Sequence, residues 1–266
     1  PIIRRLLQRL ETLQRSVQRF GEGDLSVRVP EQGQDEVADL ARQFNAAATR
    51  IEALVKTHKS LLANASHELR SPLTRIRMGL ELMGGNQPSP AFREEILRNI
   101  AELDQLVDEI LLASRLDARE ADVGTVELVD LIGLAAEECA RVDAELDVTA
   151  VPEGLEVRGV AKLLRRALRN LLENARRYSQ GDITVVLQRH DGQAQLSVLD
   201  RGPGVPSALR ERIFEPFYRL PGASERAGGV GLGLALVRSI AQRHNGSVRC
   251  EDQPDGSGGA CFVLRL

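Results

Sequence analysis

Apolar side chains at Leu6, Leu10, Leu13, Val17 and Phe20 recur at steps of 4, 3, 4 and 3. That heptad stripe suits one face of a helix packed lengthwise on another helix. A second stripe runs through Val37, Leu40, Phe44, Ala47, Ile51, Leu54, His58, Leu61 and Ala65, then through Leu69, Leu73, Ile76, Leu80 and Met83. From Leu61 to Leu73 three successive steps are of 4, a stutter that locally unwinds a coiled coil. A third stripe, Ile96, Ile100, Leu103, Val107 and Ile110, lies in a helix expected from Ala91 to Asp117. Three long striped helices in sequence restrict the first part of the chain to helix-on-helix packing.

The breaks between stripes are equally legible. Gly21-Glu22-Gly23-Asp24 stops the first helix, and Leu25 to Pro30 alternates apolar and polar residues as an extended connector would. Asp35 and Glu36 put acids where a helix N-terminus favours them. Pro72 sits inside the second helix, removes one backbone bond and is expected to bend it. Gly84-Gly85-Asn86-Gln87-Pro88 ends that helix, so the second and third helices form an antiparallel hairpin. One hairpin cannot cover two full stripes, whereas two hairpins can as a four-helix bundle; a homodimer is expected.

After Ala121 the pattern changes. Strand-like runs at Asp147–Val151, Ile183–Gln188, Gln195–Leu199 and Ala260–Leu266 separate helical patterns at Leu131–Val142, Lys162–Arg177 and Leu232–His244. This reads as an α+β domain. Of the 266 residues 42% are hydrophobic, enough for a buried core, while aromatics are 3% with no Trp, which suits Leu-, Ile- and Ala-packed helices. The formal net charge of -3 argues against a basic nucleic-acid-binding face, so no nucleic-acid partner is expected. Cys139, Cys250 and Cys261 have no CxxC spacing and read as buried hydrophobes. No run of apolar residues is long enough to span a bilayer. The chain opens on Pro1 directly in a helical pattern, which reads as a fragment whose upstream segment carries a membrane anchor.

His67 precedes the stripe residue Leu69 by two positions, so it is turned about 200° from the stripe and should face solvent. A neutral imidazole is a usable nucleophile, and Glu68 is placed to take a ring proton. Isolated helix histidines are ordinarily decoration; His58, His190 and His244 read that way. His67 does not, because Ser66-His67-Glu68-Leu69-Arg70-Ser71-Pro72-Leu73 resembles the phosphoacceptor box of the sensor histidine kinases. Further boxes follow in the family's order. Asn170-Leu171-Leu172-Glu173-Asn174-Ala175-Arg176-Arg177-Tyr178 resembles the N box; Asn170 and Asn174 are four apart, on one helix face. Asp200-Arg201-Gly202-Pro203-Gly204 resembles the G1 box, and Phe214 to Arg219 the F box. Gly229-Val230-Gly231-Leu232-Gly233 opens a helix and resembles the G2 box, a phosphate cradle by backbone geometry and dipole. A dinucleotide-type GxGxxG and a P-loop are both missing from the sequence.

The resemblance implies three parts: residues 1–54 a HAMP linker, 55–118 a HisKA-type dimerisation and phosphoacceptor hairpin, and 122–266 an ATP-binding domain. The implied fold is an all-α dimeric bundle followed by a two-layer α+β sandwich of the GHKL ATPase type. ATP and Mg²⁺ are the implied cofactors, with Asn174 and Glu173 toward the metal. Asn170, Arg177, Tyr178, Asp200, Gly202, Gly204, Gly229, Gly231, Leu232 and Gly233 would surround the nucleotide. The implied reaction phosphorylates His67, assisted by Glu68, and passes the phosphate to an aspartate of a response regulator receiver domain. A hinge near Ala118–Val123 would let the ATP domain dock on the bundle. Ala38 stands where the HAMP pattern has Gly, and Ser71 where the family's phosphatase position has Thr or Asn. The rival readings are a chaperone-type or repair ATPase of the same superfamily, which has no use for Ser66-His67-Glu68, a dimeric scaffold with a degenerate ATP site, and a mainly phosphatase-biased sensor.

Overall fold

The computed structural model describes residues 2–82, 89–117, 123–179, 181–221, 230–256 and 258–266. Met83, the turn at Gly84, most of the expected hinge, Gly229 and the segment preceding it fall outside the described residues. The elements are α1 (Ile2–Gly21), α2 (Glu36–Leu82), α3 (Pro90–Asp117), β1 (Glu127–Asp130), α4 (Leu131–Val142), β2 (Glu145–Asp147), β3 (Glu156–Gly159), α5 (Ala161–Tyr178), β4 (Thr184–His190), β5 (Gln193–Leu199), α6 (Gly233–Arg243), β6 (Ser247–Asp252) and β7 (Ala260–Arg265). Residues 1–63 and 64–266 form two compact units.

In the first unit, α1 packs on the start of α2 through the stripes. Leu13, Val29 and Ala41 form a small buried core with Phe44 against it. The Phe20 and Phe44 rings meet edge-on with centroids 5.6 Å apart. The connector between α1 and α2 lies in extended contact with α2: Asn45 Oδ1 accepts from Val29 N at 2.8 Å, and Asn45 Nδ2 donates to Val29 O at 2.9 Å. Asp35 starts α2 by accepting from Ala38 N at 3.0 Å. Arg9 of α1 pairs with the same carboxylate at 2.5 Å. The Arg9 guanidinium and that N–H hold the Asp35 carboxyl well below the usual range, at about 2. Ala38 is fully buried, so the methyl at the position expected to carry Gly fills space in this packing.

In the second unit, α2 continues unbroken through Pro72 and pairs with α3. Arg75 of α2 reaches Asn99 and Glu102 of α3. A side chain at Gly79 would stand 2.5 Å from the Phe92 ring, so the helices can approach there only over glycine. Much of the remaining stripe is uncovered in the single chain. Leu73 is 54% exposed, Leu80 50% and Ile100 42%.

The α+β part has a five-stranded sheet in the order β2-β4-β5-β7-β6 and a two-stranded sheet of β1 and β3. Only β2 and β4 run parallel. In register, Val185 faces Val198 and Leu187 faces Leu196, while β7 presents Phe262 and Leu264 on the same face. Helices α4, α5 and α6 supply Leu134, Leu168, Leu171, Leu172, Leu236 and Ile240 as the buried layer of this two-layer α+β fold. The strand expected over Asp147–Val151 is instead β2 over Glu145–Asp147. Asp147 Oδ1 accepts from both the N–H and the hydroxyl of Thr149, at 2.9 and 2.7 Å, and this turn ends the strand. Strands β1, β3 and β6 were not foreseen; all are short and only partly buried. His244 is not decoration. Its Nε2 accepts from Val160 N at 3.0 Å while Nδ1 donates to Ile240 O at 2.7 Å, so it ties the end of α6 to the start of α5. Cys139, Cys250 and Cys261 are buried, and burial pushes the Cys250 thiol up to about 12.

The orientation of α5 rests on one enclosed ionic contact. Glu138 of α4 is 2% exposed and accepts from Arg169 at 2.9 and 2.8 Å and from Arg165 at 3.2 Å. Removing one partner strands the others, so Glu138→Gln should cost about 3–5 kcal/mol in urea unfolding. The Arg169 bonds hold the Glu138 carboxyl below its ordinary value. Its contribution is therefore complete above the unfolded-state pKa and lost as pH falls through the lower folded-state value. Unfolding across that acid range should show a drop that is absent from Glu138→Gln.

Candidate functional site

A cavity of about 490 Å³ opens in the second unit between α5, the segment after β5, the start of α6, β7 and one face of α3. Helix α5 forms one wall because its amphipathic pattern turns Leu164, Leu168, Leu171 and Leu172 inward and leaves Asn170, Glu173, Asn174, Arg177 and Tyr178 along the cavity. Asn170 is the exception within the buried face. It is 5% exposed, and its Nδ2 donates to Gly233 O at 3.1 Å, linking α5 to the first turn of α6. Its Oδ1 makes no hydrogen bond among the described residues.

Asp200 ends β5 at the back of the cavity and is 3% exposed. Its Oδ1 accepts from Gly202 N at 2.8 Å and from Ala260 N at 3.2 Å. One carboxylate oxygen is thus held by two backbone amides, and Oδ2 is left for a donor entering the cavity. Gln253 fixes the same residue from behind: it is 7% exposed and donates to Asp200 O at 2.5 Å. A side chain at Gly259 would collide with that carbonyl at 1.9 Å, so the backbones can meet only over glycine.

The opposite wall is the segment before α6. Phe217 N donates to Gly231 O at 2.9 Å, and Phe217 adopts φ 62, a left-handed conformation unfavourable for an aromatic residue. Gly231 is also left-handed, and a side chain there would meet the Phe217 backbone at 2.9 Å. Arg212 stacks 4.6 Å from the centre of the Tyr218 ring and steadies this wall. Among the described residues no side chain caps the N-terminus of α6, whose first residues Gly233 and Leu234 line the cavity. Its leading N–H groups suit phosphate oxygens.

Of the residues expected around the nucleotide, Asn170, Asn174, Glu173, Arg177, Tyr178, Asp200, Gly204, Gly231 and Gly233 line this one cavity. Gly202 and Leu232 do not. Gly202 lies against Tyr178 O, which a side chain would approach to 2.6 Å, and Leu232 is fully buried. His67, Glu68 and Ser71 lie on α2, away from the cavity lining. His67 is exposed, as its angle from the stripe predicts, and Glu68 is half-buried.

The sequence reading foresaw α3 as a helix but not its part in the cavity. Arg98, Glu102, Gln105 and Glu109 complete the cavity rim. Arg166 of α5 donates to Glu109 at 2.8 Å, and Gln105 donates to it at 3.1 Å. Burial raises the Glu109 carboxyl above its ordinary value against those bonds. Arg166 Nε is buried without a partner among the described residues. Gln253 and Gly259 were missed too. A loop glutamine and a glycine give no local sign of a backbone contact fifty residues away.

The chemistry of the cavity lining suits an adenine nucleotide. A buried carboxylate oxygen suits the exocyclic amine, and the α6 N-terminus with Arg177 suits phosphates. Among the described residues no three His, Cys, Asp or Glu side chains gather as a metal cage. The amide of Asn174 and the carboxylate of Glu173 offer oxygen donors of the kind that would hold a Mg²⁺.

Three stretches of the chain match known domain families. Residues 2–53 match the HAMP domain, residues 57–119 the His Kinase A (phospho-acceptor) domain, and residues 159–266 the histidine kinase-, DNA gyrase B-, and HSP90-like ATPase family. The chain is 36% identical over 256 residues to sensor protein RstB of Escherichia coli K12, covering 94% of this chain and 58% of RstB. It is 35% identical over 232 residues to the sensor histidine kinase CpxA of the same organism, covering 85% of this chain and 51% of CpxA. It is 34% identical over 255 residues to the signal transduction histidine-protein kinase/phosphatase MprB of Mycobacterium sp. strain KMS, covering 90% of this chain and 49% of MprB. The chain thus spans about half the length of these relatives. In fold it is similar to Acinetobacter baumannii histidine kinase AdeS, with TM-score 0.62 at 23% identity over 75% of this chain and 96% of that one. It is similar also to histidine kinase ThkA, solved in complex with response regulator protein TrrA, with TM-score 0.63 at 24% identity over 87% of this chain and 67% of that one. With a linker, an acceptor hairpin and an ATPase domain matched in that order, and relatives aligned along nearly all of its length, the chain belongs to the two-component sensor histidine kinases.

Proposed function

We propose that this chain binds ATP in the cavity beside α5, transfers the γ-phosphoryl group to His67, and passes it to an aspartate of a response regulator receiver domain. The observation that carries this reading is the convergence of Asn170, Asn174, Asp200, Gly231 and the uncapped start of α6 on one cavity. The exposed His67 within Ser66–Leu73 supplies the acceptor.

Each residue then has a defined task. Asp200 Oδ2 accepts from the adenine amine, while Gly202 N and Ala260 N keep Oδ1 fixed. Arg177 and the N–H groups of Gly233 and Leu234 neutralise phosphate charge. Asn174, with Glu173 beside it, would hold Mg²⁺, and the ion would supply charge neutralisation for the phosphates. Glu68 takes the ring proton of His67 and leaves the other nitrogen to attack. Phosphoryl transfer needs chiefly position and charge neutralisation, which these groups supply.

Residues 1–54 serve as the HAMP linker, 55–118 as the dimerisation and phosphotransfer hairpin, and 122–266 as the catalytic domain. The exposed apolar side chains Leu73, Leu80, Leu97, Ile100, Val107 and Leu111 are the surface on which two hairpins form a four-helix bundle. The ThkA complex, in which a histidine kinase meets a response regulator, supports a receiver domain as partner. Among the described residues no helix is long and apolar enough to cross a membrane. By analogy with sensor relatives about twice as long, a segment upstream of Pro1 anchors the protein, with this region on the cytoplasmic side. Ser71 contributes to dephosphorylation of the receiver; the relative MprB is named a kinase/phosphatase.

Labelled ATP with Mg²⁺ should give an acid-labile, base-stable phosphoryl group on the parent chain and none on His67→Gln or Asn174→Ala. Label that persists in His67→Gln would move the acceptor elsewhere. Sedimentation should find a dimer at micromolar concentration; a compact monomer would contradict the bundle. Gln253→Ala should weaken binding of a fluorescent ATP analogue by a factor of about 5–30, about 1–2 kcal/mol, because Asp200 loses its rear support. Unchanged affinity would show that Asp200 holds its place without it.

A further inference from the structure

On α2, His67, Ser71 and Arg75 follow at steps of four and share one face. All three are exposed. The Arg75 guanidinium is fixed from α3. Its Nε donates to Asn99 Oδ1 at 2.8 Å and its Nη2 to Glu102 Oε2 at 2.8 Å. Asn99 is 7% exposed and is itself held by donating to Glu95 O at 2.8 Å. With two corners of the planar fork set, the third nitrogen is directed back one turn, and Nη1 donates to Ser71 Oγ at 3.3 Å.

This gives the Ser71 hydroxyl an unusual surrounding. Thr12, Thr49 and Thr74 each donate to the carbonyl four residues earlier, at 2.9, 2.8 and 2.8 Å. Among the described residues Ser71 makes no such bond; it accepts from Arg75 instead. A hydroxyl has one proton and two lone pairs. Its proton is therefore not spent on the backbone, and the guanidinium occupies one lone pair. What remains, a donor and one lone pair on the face that carries His67, is what a held water molecule requires. Ser also lacks the methyl of Thr and the longer arm of Asn in the family's pattern, so it has less packing of its own to fix its direction.

We propose that Arg75 is a positioning residue for dephosphorylation of the receiver domain, orienting the Ser71 hydroxyl toward the attacking water. The inference rests on the reading that the receiver docks on the His67 face. In the reaction the water oxygen bonds to phosphorus and the acyl phosphate P–O bond breaks. The aspartate leaves as carboxylate, and the water's protons end on inorganic phosphate and solvent. Ser71 and Arg75 emerge unchanged. Asn99 and Glu102 act one step further back by holding the guanidinium.

The test uses the dimeric chain and a receiver domain selected as the one that it phosphorylates fastest from a panel, loaded with acetyl phosphate. Loss of receiver phosphate and autophosphorylation at His67 are timed separately. Arg75→Ala should slow dephosphorylation about tenfold or more and leave autophosphorylation within about twofold, which also shows that the variant folds and dimerises. Arg75→Lys keeps the charge opposite Glu102 but cannot span three acceptors, and should remain slow. Ser71→Ala should be slow as well, and the double variant should be no slower than Ser71→Ala alone, since Arg75 acts through Ser71. Additive losses, equal loss of both activities, or full dephosphorylation by Arg75→Ala would each overturn the inference. So would a parent chain that labels at His67 and transfers to the receiver yet never dephosphorylates it. A parent chain that neither labels nor transfers would overturn the proposed function itself, and this inference with it.

Discussion

The amide of Asn170 is a polar group on the buried, leucine-lined face of α5, and the nucleotide cavity depends on it. It sits between Leu168 and Leu171 on the face that α5 buries, and it gives its proton to the carbonyl of Gly233. An unpaired amide there would be costly, so its bond specifies how α6 starts relative to α5. Once that spacing is set, the N-terminus of α6 faces Asn174 and Arg177 across the cavity. His244 repeats the constraint at the far end of the same two helices, where Val160 N donates to its ring. The two contacts bracket the helix pair, and the leucines between them have little freedom to slide.

The third side of the cavity is built from backbone. Asp200 is directed by the backbone amides of Gly202 and Ala260 and by the close approach of Gly259, with the Gln253 amide behind it. Phe217 pays for the shape with a left-handed backbone, a strain that its bond to Gly231 and the stacking of Arg212 on Tyr218 offset. A rigid pocket assembled in this way can hold a flat base without rearrangement.

The helices were legible because burial imposes a period on the sequence. Stripes such as Ile96 to Ile110, and the Leu164 to Leu172 face of α5, follow directly from 3.6 residues per turn. Strands β5 and β7 were legible as apolar runs because they lie in the middle of the sheet. Strand β6 was not, since it is an edge strand in which Arg249, Glu251 and Asp252 dilute the alternation. Strands β1 and β3, four residues each, carry too few side chains for a period to appear. The cavity residues on α5 and after β5 were legible because chemistry confines their types and spacing. Gln253, Glu102 and Glu109 were not. Their roles come from partners 53, 27 and 57 residues away, and no local pattern encodes such a separation.

The contact of α3 with α5 has the energetics of a docking that can be undone. Glu109 is desolvated enough for its carboxyl to rise above the ordinary value, and the guanidinium that meets it leaves Nε buried and unpaired. A buried pair with an unsatisfied donor regains little of its desolvation cost. That pair is only part of the seat: α3 also packs against α6, and its Leu106, Ala113 and Leu116 are buried. His67, by contrast, stands on α2 outside the cavity lining. An ATP domain that brings its nucleotide to a histidine outside its cavity must give up this seat, and the Glu109–Arg166 pair is the part of it that hydration replaces at least cost.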